Sequence, residues 1–183
     1  QHPDLHFVFP VVQSITKTSD NLYSKWREFV LNSPYFSLFD WIKFMDDKER
    51  QPIIGTEESK EIVRKISLKS FQGGYKVMII FAADEMNLQA SNKILKILEE
   101  PPAQTVFILL SSNPQAILPT IRSRTQTMQV TRLLPFEISK FLQKERKMEV
   151  GVADGLASFA DGDLCAALEL LNEGETTALY REL

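Results

Sequence analysis

Apolar positions along the chain fall into short continuous runs and longer stretches with helical spacing. Tyr75–Ala82 (YKVMIIFA) and Thr105–Leu110 (TVFILL) are too short for buried helices and rich in branched residues, so they read as central strands. Leu5–Val12 (LHFVFPVV) reads as a third buried strand, whose second half Pro10 makes an edge or an exit. Thr125–Val130 (TQTMQV) alternates polar and apolar, which predicts a strand nearer an edge.

Between these runs the period changes to that of a helix. Leu22, Trp26, Phe29 and Val30 predict one helix, with Ser19 or Asp20 as N-cap and a stop near Pro34. Leu38–Met45 predicts a second, and the charged Asp46–Pro52 run after it reads as a solvated face. Thr56 is placed to cap a helix burying Ile62, Val63 and Ile66, with Gly73-Gly74 as a later turn. Asn87 is placed to cap a helix burying Ile94, Leu95 and Leu98, closed by Pro101-Pro102. Pro114–Ser123 reads as a short helix or loop. Alternating strands and helices predict an α/β layer around a parallel sheet.

Beyond Leu134-Pro135 strand patterns cease. Ile138, Phe141 and Leu142 mark one helix, Leu156 and Phe159 a second, Leu164, Leu168 and Leu171 a third, and 176–183 the start of a fourth. The expected division is an α/β domain over 1–133, a helical domain over 134–175, and the start of a following helix or collar domain over 176–183.

Composition narrows the function. The chain has 183 residues, 44% hydrophobic and 25% charged, with net charge −3, which argues against a strongly nucleic-acid-binding fragment. One cysteine, Cys165, excludes an intramolecular disulfide and zinc sites built on paired cysteines within this sequence, and fits a reducing compartment. Cys165 reads as buried and inert. No apolar run is long enough to span a membrane, and no signal peptide is recognisable. The start at Gln1, without a methionine, reads as a cut inside a longer protein.

Candidate chemistry is sparse. The phosphate-loop pattern G-x-x-x-x-G-K-S/T is absent, and Gly73-Gly74-Tyr75-Lys76 precedes a strand rather than a helix. Asp84-Glu85 follows an apolar strand, where a magnesium-holding carboxylate pair would stand; the plainer reading is a solvated pair near the positive end of the next helix. Glu99-Glu100 closes a helix against its macrodipole, a misfit that can mark a partner contact. His2 and His6 have no adjacent nucleophile. Arg122-Ser123-Arg124 is either a surface charge pair or a fork reaching a neighbour's phosphate.

Taken together, several stretches resemble one family. Lys76–Ile80, then Ser91–Pro102 (SNKILKILEEPP), then Thr105–Leu110, then Ile121-Arg122-Ser123-Arg124 resemble the bacterial clamp-loader subunits of DNA polymerase III. His2-Pro3-Asp4-Leu5 also matches; in the family it follows a cysteine-rich zinc module, which would lie upstream of Gln1. The resemblance implies an incomplete AAA+ (P-loop NTPase-like) parallel-sheet domain, lacking the phosphate loop, followed by a small all-helical lid.

The departures from the family pattern carry the functional reading. ATP-hydrolysing members follow the strand with Asp-Glu, and those positions are Phe81 and Ala82 here. Their helical domain carries a nucleotide-sensing arginine, and that position is Cys165. The γ-phosphate-sensing position falls at Ser111-Ser112. The S-R box is kept as Ser123-Arg124, with Thr125 in place of its usual cysteine. This combination resembles the delta-prime branch, which does not hydrolyse ATP and offers its arginine to ATP-magnesium on the adjacent subunit. Arg124 is then the trans-acting residue, Ser123 positions the loop, and Arg122 is a second candidate. The implied partners are the ATPase subunits, the delta subunit, the sliding clamp indirectly, and primed DNA, in a cytoplasmic, replisome-associated complex. The fragment itself would need no cofactor.

Two other readings follow from the residues. An active ATPase would use Asp84-Glu85 after a local shift. A nucleic-acid-binding module would use Lys60, Arg64, Lys65 and Lys69 on one helix and Lys93 and Lys96 on another, residues that otherwise read as solvated faces.

Overall fold

The computed structural model describes residues 2–46, 48, 50–71 and 73–171. The expected helix over 176–183 lies outside them. The residues divide into two compact units, Gln1–Pro34 with Leu38–Thr127, and Tyr35–Ser37 with Met128 onward. The division therefore falls at 127/128, against an expected boundary at 133.

The first unit is built on three parallel strands in the order β1-β2-β3: β1 Leu5–Val8, β2 Lys76–Ile80 and β3 Thr105–Leu109. Leu5 pairs with Val77, and Lys76 with Thr105. Parallel pairing needs crossovers, and helices supply them: α1 (Tyr23–Asn32), α2 (Leu38–Met45) and α3 (Thr56–Ser67) lie between β1 and β2, and α4 (Leu88–Glu99) between β2 and β3. Val8, Met78 and Ile80 from the sheet pack with Ile62, Ile66 and Ile94 from α3 and α4. This is the parallel α/β layer that the strand patterns imply.

Several local expectations change. β1 ends at Val8, before Phe9-Pro10, and Phe9 turns into an aromatic cluster, stacked on Trp26 at 4.3 Å and edge-on to Trp41 at 5.1 Å. The N-cap of α3 is Gly55, not Thr56, which is already helical. Asn87 does cap α4, accepting the Ala90 amide at 2.8 Å. Ser19 opens a 3₁₀ turn ahead of α1, and its amide and hydroxyl are bound by the buried Glu58 carboxylate of α3. The charged run after α2 is not simply a solvated face: Asp46 is buried and accepts from Arg50 Nε at 2.8 Å and Nη2 at 3.1 Å.

The strand expectations fail at one side of the sheet. β3 was expected to be central, yet among the described residues it pairs only with β2, and Val106 and Ile108 are each 40% exposed. Residues 125–130 form no strand, because no neighbouring strand supplies a ladder among the described residues.

The second unit is helical: α5 (Pro119–Arg122) ends the first unit, and α6 (Pro135–Arg146), α7 (Val150–Phe159) and α8 (164–171) form the second. Ile138 and Leu142 of α6 pack on Ala153 and Ala157 of α7 and Ala167 of α8. Small alanines let the helices approach closely enough to exclude water. Gly162 has φ +80, and a β-carbon there would stand 2.6 Å from the Leu133 carbonyl oxygen. No described helix is long and apolar enough to cross a membrane.

Candidate functional site

Pro119 starts α5 where a missing amide hydrogen costs nothing, and buried Ile121 anchors the turn in the core of the first unit. With Ile121 fixed inward, the next residues carry their side chains to the surface. Ser123 Oγ donates to the Thr120 carbonyl at 3.1 Å, and Thr125 Oγ1 contacts the Ile121 and Arg122 carbonyls at 3.3 and 3.1 Å. These hydroxyls satisfy carbonyls left open at the end of a four-residue helix. A small hydroxyl residue at 125 is thus sufficient to hold the turn.

The two arginines differ. Arg122 donates from Nη1 to Gln115 Oε1 at 3.0 Å, and its Nε is buried without a hydrogen-bond partner among the described residues. Arg124 is at the surface. Its Nε donates to Glu99 Oε1 at 2.6 Å, its Nη2 pairs with the same carboxylate oxygen, and its Nη1 donates to the Thr120 carbonyl at 2.8 Å. Glu99 stands in the last turn of α4, 25 residues away in sequence, so no local pattern could name it as the partner. The one sequence signal was its position against the helix dipole.

The positions expected to have lost their carboxylates are apolar in their packing too. The Phe81 ring lies 5.4 Å from the Trp26 indole, and Ala82 is buried with a left-handed backbone, φ 49. Neither side chain offers an oxygen to a cation. Asp84 and Glu85 lie in a 3₁₀ turn over Ala83–Glu85, tied to the Ile54 amide through the Glu85 carbonyl at 2.9 Å. Both are half-buried rather than solvated. Burial, with the Asp84 charge beside it, raises the Glu85 pKa from its ordinary value, against an opposing hydrogen bond from Gln51. Asp84 Oδ1 is buried and has no hydrogen-bond partner among the described residues. Those residues contain no cluster of three or more metal-ligating side chains.

Ser111 and Ser112 follow β3, and Ser111 Oγ accepts the Asn113 amide at 3.1 Å. Cys165 is half-buried, not buried as expected. It lies in the first turn of α8, where its amide donates to Asp163 Oδ1 at 2.8 Å. The basic residues of α3 are partly committed, Lys60 to Glu57, Arg64 to Glu61, and Lys65 to Asp20.

Residues 1–133 match the family model for the DNA polymerase III delta subunit. The chain belongs to this family. Delta-family relatives at the sequence level include the delta-prime subunit of Pseudomonas aeruginosa, 36% identical over 80 residues, which cover 44% of this chain and 24% of that one. The tau subunit of Bacillus subtilis is 35% identical over 124 residues, covering 65% of this chain and 22% of its own length. A gamma-subunit-related protein from Thermotoga maritima, solved by crystallography, is 27% identical with a TM-score of 0.51, over 64% of this chain and 38% of that chain. A RuvB mutant from the same organism shares the fold alone, at 9% identity and a TM-score of 0.55 over 90% of this chain and 64% of that one. The chain matches about a quarter or less of the length of these curated relatives. This delta-family chain is thus an AAA+-like parallel-sheet domain followed in sequence by a small all-helical one.

Proposed function

We propose that this chain is part of a delta-prime-like clamp-loader subunit that does not hydrolyse ATP itself. It supplies Arg124 in trans to ATP-magnesium bound by an adjacent ATPase subunit, in a replisome-associated complex with the delta subunit that places the sliding clamp on primed DNA. The observation that carries this reading is a contrast. Arg124 is surface-placed on a turn fixed by buried Ile121, while Phe81 and Ala82 fill the acidic-pair positions with packed apolar side chains. A guanidinium stays charged at every physiological pH and can spread two hydrogen bonds over the oxygens of a transferring phosphoryl group. Such an arginine contributes on the order of 10³–10⁵ in rate at the site it serves.

The test is DNA-stimulated ATP turnover by a loader reconstituted with full-length protein carrying Arg124→Ala. Turnover at the served site is expected to collapse, and total turnover to fall by that site's share. Undiminished turnover overturns the role of Arg124.

The competing assignment makes Asp84 and Glu85 the catalytic pair of an active ATPase. The unpartnered Asp84 oxygen speaks for it, since a cation would satisfy that atom. Burial and the adjacent Asp84 charge speak against it, since both disfavour the ionised Glu85 carboxyl that a magnesium site needs. Hydrolysis by the isolated full-length chain, abolished by Glu85→Gln, would decide for this assignment.

A further inference from the structure

We infer that Glu99 is a positioning residue for Arg124, fixing the guanidinium so that one edge stays turned outward for a phosphate. The inference rests on the trans-acting role proposed for Arg124.

A guanidinium carries five N–H donors, one on Nε and two on each Nη. Glu99 Oε1 takes the Nε donor and one on Nη2, and the Thr120 carbonyl takes one on Nη1. One donor on Nη2 remains uncommitted, and the second on Nη1 makes only a weak contact. That contact, Nη1 to Ser123 Oγ, is long at 3.4 Å and weak enough for a phosphate oxygen to replace. These two donors are the ones left for phosphate oxygens.

Position and charge support the same role. Glu99 stands at the C-terminal end of α4, where the helix dipole disfavours a carboxylate, and the Arg124 charge offsets that penalty. The pair is partly exposed, with side chains 34% and 44% accessible for Arg124 and Glu99. An exposed pair binds weakly, so it orients the arginine without competing against a multiply charged phosphate. Without Glu99 the long side chain samples many rotamers, and productive encounters become rarer.

The experiment uses the full-length subunit in a reconstituted loader, with the Arg124→Ala loader as baseline. Turnover above that baseline is expected to fall about tenfold in Glu99→Ala, as a misplaced catalytic group loses rate, while the KM for ATP is unchanged because the neighbour binds the nucleotide. Glu99→Gln, which keeps an acceptor oxygen, retains more turnover than Glu99→Ala. In the Arg124→Ala background, Glu99→Ala has no further effect. Wild-type turnover in Glu99→Ala, beside impaired Arg124→Ala, overturns the inference and leaves the arginine's role standing. A Glu99→Ala loss that persists undiminished in the Arg124→Ala background also overturns it, since the carboxylate would then act on the fold. Undiminished turnover in Arg124→Ala alone overturns the arginine's role, and the inference with it.

Discussion

The Phe81 ring lies 5.4 Å from the Trp26 indole, at an interplanar angle of 47°. A side chain at the end of the central strand is thereby part of the aromatic cluster beside the sheet. Phe81→Asp with Ala82→Glu places carboxylates against aromatic and apolar walls. The double variant is expected to lose about 2–4 kcal/mol of stability, from lost ring packing and carboxylate desolvation. Urea denaturation midpoints of the full-length protein measure this. ATP hydrolysis by the isolated subunit is not expected to appear.

Arg124→Lys should not rescue function. A lysine ammonium is a point charge and cannot bind the Glu99 carboxylate along one edge while presenting a second edge outward. Loader turnover with Arg124→Lys is expected to resemble that of Arg124→Ala. Recovery to wild-type turnover would show that charge alone suffices.

Gly162→Ala should destabilise the helical unit. The backbone at Gly162 has φ +80, and the added carbon would stand 2.6 Å from the Leu133 carbonyl oxygen and 2.7 Å from Arg132 Cβ. Strain and displacement are expected to cost about 1–3 kcal/mol. Amide hydrogen exchange should show faster exchange in α6 and α7, with β2 unchanged.

Arg50 beside Asp46 holds its carboxyl down to about 2, below the ordinary value of 3.8. A depressed carboxylate favours the fold at neutral pH; the contribution is full above the ordinary value and is lost as pH falls through about 2. Carboxyl NMR should place the Asp46 midpoint near 2 and show it rising toward the ordinary value in Arg50→Ala.

How far local pattern reaches is visible in particular residues. Met78 and Ile80 lie in a continuous apolar run and form a strand as that run implies, with Met78 and Ile80 buried on one face and Val77 and Ile79 half-buried on the other. Asn87 is both the expected and the observed cap of α4, because capping is settled within three residues. Thr125–Val130 has strand periodicity and no strand, since a strand exists only where a neighbour completes its hydrogen bonds. The division near 128 rather than 133 reflects contacts that no hydropathy pattern records.

By itself, the sequence determined the α/β layer, the helical unit after it, the family and the apolar character of positions 81 and 82. These follow from side-chain chemistry and short-range periodicity, which the chain carries wherever it folds. Only the tertiary structure decided that Glu58 binds Ser19, that Phe81 meets Trp26, and that Glu99 receives Arg124. Each of those contacts joins residues 25 or more positions apart, and their meeting depends on how the crossover helices return the chain to the sheet.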